Sequence, residues 1–414
     1  MFDLERWEEI FSTIRKNKLR TFLTGLSVAS GIFILVILLG VGQGMRNGIQ
    51  AEFESDATNR VWVWTYITTK EYKGLNPGRR IQLTNQDFQG FMTSETSRIE
   101  YQSSIFRVNA NLISYGKQSG SYAVQGVHPD NFFIENQQMS KGRFLNYIDV
   151  KNAEKVVVVS TKIARELFLN AKEPIAEYLK ISGINFKVIG VYKDAKDEEE
   201  DNLFIPITTA QKVFGGGNHI SNLTFTVKPE DNFDNTVKTS EELTQNVISY
   251  LKESHSVAPE DLSAVNAFNT LKEAKRYFTL IENIKLFFWF VGICTIIAGV
   301  VGVSNIMLII VKERTKEIGI RKALGAKPWS IIGMIIHESI FVTAISGFSG
   351  LIVSMAILEI LGPNLKVDYL VNPSVDFNVA LATVFILILA GALAGFFPAW
   401  KAAKIQPIVA LKDE

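Results

Sequence analysis

The chain has 414 residues, 47% of them apolar, and a formal net charge of +1. That length leaves room for two or three domains, and the near-neutral balance excludes a chain that holds nucleic acid through bulk positive charge. One cysteine, Cys294, excludes a disulfide-built fold.

The first twenty residues (1–20) read as a cytoplasmic amphipathic helix. Leu4, Trp7, Phe11 and Ile14 share one helical face, Glu5, Glu8 and Glu9 lie mostly opposite, and Arg15, Lys16, Lys18 and Arg20 close it. Such a helix lies in the membrane interface or packs on a partner. Thr21 to Met45 carries no charge and predicts the first transmembrane helix (21–45). It is too long for a signal-peptide core, follows four acidic residues and precedes no A-x-A site, so an anchor is expected. Gly40, Gly42, Gly44 and Gly48 resemble a nucleotide loop at a glance. They end a membrane helix, however, where flexibility or close packing is their expected role.

Residues 46–285 are expected to form one large external α+β domain. Gln43 to Ser55 reads as helix, Arg60 to Thr68 as strand, Thr84 to Ser94 as a helix capped by Thr84, and Arg98 to Val108 as extended. Far downstream, Asn222 to Lys228 reads as strand and Asp234 to Glu253 as helix. This pattern predicts a small unit (about 57–110 and 220–267) split by an inserted subdomain (about 111–219). The insert's expected strands are Tyr122 to His128, Lys155 to Ser160, Leu179 to Ile181 and Phe186 to Tyr192, with Gly215, Gly216 and Gly217 as the return hinge. Lys193 to Asp201 reads as a solvated charge run. Phe268 to Lys285 reads as helix, so helical stalks are expected at both ends of the domain.

Three more charge-poor runs follow: 286–311, 330–361 and 377–400, separated by a loop at 312–329 and a short external loop at 362–376, with a tail at 401–414. Each run can supply the roughly 20 apolar residues that a bilayer core of about 30 Å requires. Lys and Arg precede the first span, fill 312–329 and follow the fourth, so both termini and that loop are expected in the cytoplasm. Three pairs have the spacing of close helix contacts: Gly391 with Gly395, Ala298 with Gly302, and Ser346 with Gly350. Glu338 stands inside the third run, either as a proton relay or as an interfacial carboxylate paired with a basic loop residue.

No G-x-x-x-x-G-K-[ST] loop occurs, and His128, His219, His255 and His337 show no ligand spacing, so no catalytic, cofactor or metal residue is expected. The loop KERTKEIGIRKALGAKPW, Lys312 to Trp329, stands out. Glu313, Lys316, Glu317, Arg321 and Lys322 are spaced for i,i+3 and i,i+4 pairs, and Gly325 fits a helix stop. It is either a stiff rod gripped by a soluble partner or an ordinary basic loop.

The segment ERTKEIGIRKALGAKPWSI (Glu313 to Ile331) resembles the signature of the FtsX/MacB family of ABC-transporter permeases. The tail FPAWKAAKIQPIVALKDE and the entry IRKNKLRTFLTGLSVASGI are similar to the ends of that family's membrane domain. VQGVHPDNF, KGRFLNYID, KVVVVSTKIARELF and FKVIGVYKD resemble its periplasmic core. The resemblance implies four-span subunits in a bacterial inner membrane, paired as a homodimer or with a related permease, the large domain being periplasmic and porter-like. Glu313, Arg314, Glu317, Ile318, Arg321, Lys322, Gly325 and Ala326 would seat a separate cytoplasmic ABC ATPase, which binds ATP and Mg. A periplasmic adaptor, an outer-membrane duct and membrane lipids are further implied partners. The output is expected to be efflux of a peptide, toxin or lipidic cargo by mechanotransmission. FtsX-like activation of a cell-wall hydrolase and LolC/LolE-like lipoprotein release are the alternatives.

Overall fold

The computed structural model describes residues 18–55, 59–109, 112–168, 173–193, 202–367 and 370–406. The expected interfacial helix up to residue 17, most of the Lys193–Asp201 run and residues 407–414 fall outside them. Contacts divide the chain into two units, one of Met1–Gln50 with Phe278–Glu414 and one of Ala51–Tyr277.

Helix α1 (Lys18–Ser55) opens the first unit without a break. Among the described residues four helices are long and apolar enough to cross a membrane: Gly25–Ala51, Thr270–Glu313, Pro328–Asn364 and Phe377–Ala403. Ile32, Leu35 and Val36 are fully buried in their common core with Val303, Leu351 and Leu387. Phe290, Ile352 and Phe385 are more than three-fifths exposed. Apolar side chains on every face are what helices require when lipid replaces water around the bundle.

Small residues set the approach between these helices. An added Cβ at Gly391 would stand 2.9 Å from the Ile340 Cα, and one at Gly395 would stand 2.7 Å from the Ser339 Cβ. Ser339 Oγ donates to the Gly391 carbonyl at 2.8 Å. A Cβ at Gly350 would come within 2.3 Å of the Ala29 carbonyl oxygen, and one at Gly25 within 2.5 Å of Ser346 Oγ. The third expected pair behaves otherwise. Ala298 is exposed and nothing lies within 4 Å of a Cβ at Gly302. One position along, Gly299 makes the contact, against Val28. Spacing identifies a small-residue stripe but not which way the helix is rotated.

The second unit holds fourteen strands among the described residues. They are β1 (Arg60–Thr65), β2 (Leu83–Thr84), β3 (Ile99–Val108), β4 (Leu112–Tyr115), β5 (Gln118–Ser121), β6 (Ala123–Val127), β7 (Gln138–Gly142), β8 (Val156–Ser160), β9 (Tyr178–Ile181), β10 (Ile184–Lys193), β11 (Asn202–Pro206), β12 (His219–Ile220), β13 (Asn222–Val227) and β14 (Val265–Asn269). The main sheet runs β14-β1-β13-β3-β6-β11-β8-β10-β9-β4-β5, with β7 on β10.

Strand β3 belongs to both halves of this sheet. Its first part pairs with β13, Ile99 opposite Val227 and Ile105 opposite Asn222, and its last residues pair with β6, Phe106 opposite Gly126. Val61, Val63, Leu223 and Phe225 on one face of the first half pack with Leu243, Val247 and Leu251 of helix α7 (Phe233–Ser254) and Phe88 and Phe91 of α2 (Asn85–Ser94). Among the described residues four short helices lie between those two in the chain: α3 (Asn131–Ile134), α4 (Tyr147–Asn152), α5 (Thr161–Phe168) and α6 (Ile207–Val213). A second core around Val157, Val159, Leu179, Phe186 and Leu203 fills the other half.

Thr84 caps α2 as expected: its side chain accepts from the Asp87 amide, and Asp87 accepts from the Thr84 amide. Phe268 is strand rather than helix. It pairs with Trp62, and Asn269, whose side chain accepts from the Lys272 amide, starts α8 (Thr270–Glu313). The 362–376 loop contains a 3₁₀ turn at Gly362–Asn364 and a two-stranded hairpin, β15 (Lys366–Val367) and β16 (Leu370–Val371).

Candidate functional site: the segment between the second and third spans

Helix α8 ends at Glu313, Arg314 leaves helical geometry at φ −98° and ψ 12°, and helix α9 runs Thr315–Ala323. Gly325 then adopts φ +92°, a value that side chains disfavour. The Ala326 amide donates to the Arg321 carbonyl at 3.0 Å and the Gly325 amide to the Lys322 carbonyl at 3.1 Å. This paired bonding is a Schellman stop. Pro328, placed in the first turn, opens helix α10 (Pro328–Leu361). Gly325 and Ala326 thus set where the rod ends.

Ion pairs fix the rod to the third span. Arg314 holds Glu317 bidentately, Nε to Oε2 at 2.9 Å and Nη2 to Oε1 at 3.0 Å, and reaches Glu338 Oε2 at 3.3 Å with Nη1. Arg321 adds a 2.9 Å contact to Glu317. The Glu338 side chain is 5% exposed, and a carboxylate so placed requires a cation beside it. Of its two sequence readings, the structure provides the pair with a loop arginine. Lys322 Nζ donates to the carbonyls of Ala403 and Ile405 at 2.8 and 2.7 Å. It thereby satisfies the C-terminal end of helix α11 (Phe377–Ala403). Ile318 is 1% exposed among Val311, Ile331, Ile335, Ala399 and Ala402.

Five of the eight expected seat residues therefore face inward or hold the rod: Arg314, Glu317, Ile318, Arg321 and Lys322. Gly325 and Ala326 form its stop, and Glu313 is exposed. The outward edge is carried by residues that the charge pattern did not single out. Leu324 is 84% and Trp329 79% exposed, with Ile320 at 44% and Lys316 and Ala323 also outside. The signal was present in the spacing. Ile318 marks the buried side of α9, and Lys316, Ile320 and Leu324, spaced i, i+4 and i+8, fall on the other side.

Among the described residues no group of three His, Cys, Asp or Glu side chains could hold a metal ion. The arrangement is a short basic helix with an apolar outer edge, bonded to the ends of three long helices.

Residues 21–243 match the MacB-like periplasmic core domain and residues 289–407 the FtsX-like permease C-terminal segment. Among curated relatives, a macrolide export ATP-binding/permease protein MacB from Bdellovibrio bacteriovorus is 27% identical over 99% of this chain and 62% of its own length. A pyoverdine export ATP-binding/permease protein PvdT from Pseudomonas syringae is 27% identical over 99% of this chain and 60% of its own. The chain thus spans about three-fifths of the length of these relatives. Among solved structures, the periplasmic region of MacB from Actinobacillus actinomycetemcomitans is 21% identical, with a TM-score of 0.44, over 56% of this chain and 97% of that one.

Proposed function

The chain belongs to the MacB/FtsX-type family of ABC-transporter permeases, and we propose that it is a membrane subunit coupling ATP hydrolysis by an ABC ATPase to movement of an extracytoplasmic domain. The observation that carries this reading is the two-sided α9 rod. Its inner side is bonded to α10 and α11, while Lys316, Ile320, Leu324 and Trp329 stand outside. A partner pressing on that edge moves the helices bonded to the inner one. Helix α8 continues unbroken from β14 to the rod over 44 residues, about 66 Å at the helical rise. That is roughly twice a bilayer core, so displacement need not be lost in a flexible linker.

In this reading ATP and Mg are bound by the ABC ATPase, and the permease segment transmits its movement without catalysing a reaction. Both termini and α9 face the cytoplasm, on the distribution of Lys and Arg, and the Ala51–Tyr277 unit faces the periplasm. Subunits work in pairs, alike or related. The output is export of a peptide, toxin or lipidic cargo, a reading supported by relatives named for export.

The test uses the lone cysteine. In a Cys294→Ala background, Leu324→Cys is expected to react with an impermeant maleimide only after the inner membrane is opened. It is also expected to crosslink to an ABC ATPase copurified with the chain. Labelling in intact spheroplasts, or labelling of opened cells with no ATPase crosslink, would overturn the assignment.

A further inference from the structure

A groove of about 1070 Å³ lies within the Ala51–Tyr277 unit, on the face of the sheet opposite α2 and α7. Its floor is set by strand alternation: Val61 and Val63 point to the core, so Arg60, Trp62 and Trp64 point the other way. Trp62 lies between Thr224 on one neighbour and Phe268 on the other, and Trp64 lies opposite Asn222. Phe106 and Phe214, with Ile81, Leu83 and Ile220, add to the apolar lining.

Two features of this groove point to what it takes. Arg60, Arg80 and Arg107 line it and no Asp or Glu does. Arg60 and Arg107 stand 5.7 and 5.9 Å from the Trp62 ring centre. Glu135, outside the lining, holds one Arg60 nitrogen at 2.6 Å, whereas Arg80 and Arg107 are exposed and make no ion pair among the described residues. The second feature is the set of orphaned polar atoms. Trp62 Nε1, Trp64 Nε1, Arg60 Nε and Asn222 Nδ2 are buried with no hydrogen-bond partner among the described residues. All four are donors. Buried donors are ordinarily satisfied, and a set made only of donors is complemented by acceptors alone.

We infer that this groove is a binding site for an amphipathic carboxylate, whose acyl or aryl body lies on Trp62, Trp64 and Phe268 and whose carboxylate meets the exposed arginines, above a floor whose orphaned groups are all donors. Its size and its mix of aromatic walls with a few convergent polar groups fit a ligand site. Guanidinium is the cation best shaped for a carboxylate. The inference rests on the groove alone and does not depend on which output the ATPase drives.

The full chain in phosphatidylcholine nanodiscs is titrated calorimetrically with octanoate and 2-naphthoate, and with octanamide and 2-naphthamide as neutral analogues, empty discs giving the partitioning baseline. At least one acid is expected to bind saturably, at least tenfold tighter than its amide. The Arg80→Gln/Arg107→Gln double variant, altered only at exposed side chains, is expected to lose at least tenfold. Preference for octanoate identifies an acyl body and preference for naphthoate an aryl one. Absence of saturable binding by either acid, equal binding of acid and amide, or an unchanged double variant overturns the inference.

Discussion

Leu324 and Ile318 lie six residues apart on the same rod and separate its two sides. Ile318 is 1% exposed and Leu324 84% exposed. Burying a leucine side chain is worth about 1.5–3 kcal/mol. Because nearly all of Leu324 is free in this chain, nearly all of that gain is available to a docked ATPase. Leu324→Ser is therefore expected to weaken ATPase binding by about 2 kcal/mol, roughly thirtyfold at 1.4 kcal/mol per decade, while leaving thermal stability unchanged. Ile318→Ser is expected to do the reverse at first order. It removes a packed side chain from the cluster with Val311, Ile331 and Ala399 and costs about 2–5 kcal/mol of stability. The assay reconstitutes each variant in nanodiscs, titrates the ATPase, and records half-maximal stimulation of hydrolysis beside the melting temperature. Leu324→Ser with wild-type half-maximal stimulation, or with a lowered melting temperature, would refute the two-sided rod.

Three further outcomes follow from the packing and the charges. Gly350→Val places atoms against the Ala29 carbonyl, where a Cβ alone would stand at 2.3 Å, so it is expected to cost about 1–3 kcal/mol. Gly302→Ala, in open space, should leave the detergent melting temperature unchanged or raised, and equal losses for the two would contradict the helix rotation described. His128 is held down to about 4 by burial, against a raising contribution from the nearby Asp130 carboxylate. An unfolded histidine takes its proton near 6.5, so between pH 6.5 and 4 the unfolded chain binds more protons and stability falls with acid. His128→Gln should flatten that slope by up to one proton, measured as melting temperature from pH 7 to 5. An unchanged slope would show that His128 is not the group responsible. Asp261, fully buried, accepts from the Thr69, Lys70, Ser263 and Ala264 amides and the Thr69 hydroxyl. Asp261→Ala orphans these donors at a cost of about 3 kcal/mol. It should speed hydrogen exchange at Thr69 and Lys70, and exchange at the wild-type rate would show that the carboxylate does not pin the loop.

The spans were legible because lipid imposes a one-dimensional rule: a run such as Leu286 to Val311 without charge is visible whatever it packs against. Rotation of the spans was not, since Ala298-Gly302 and Gly391-Gly395 look alike until a neighbouring backbone arrives. In the external unit, Arg60 to Thr65 and Asn222 to Val227 alternate well enough to be read as strands. Gln138 to Gly142 and Gln118 to Ser121 do not, being polar strands held by backbone bonds to β10 and β4. Val265 to Asn269 was hidden by its own continuation into helix. At the candidate site, charge spacing located the rod and its stop. It could not show that Arg314 divides its charge between Glu317 and Glu338 and that Lys322 directs its own to a helix end, leaving the outward edge to Leu324 and Trp329.

The sharing of β3 between the two halves of the sheet has a kinetic side. Strands β3 and β13 are antiparallel neighbours with Ile105 opposite Asn222, and the Ser221 amide donates to the Ile105 carbonyl at 2.7 Å. Everything from Val108 to Ser221 is thus an elaborated hairpin tip. Its ends must meet across more than a hundred residues before β13 can dock, a contact of high sequence separation and slow formation. A folded insert would bring those ends together, so the insert is expected to fold before β13 docks on β3. Replacing the excursion with a short turn is expected to speed closure of β3 on β13 in stopped-flow refolding, and an unchanged rate would place the barrier elsewhere.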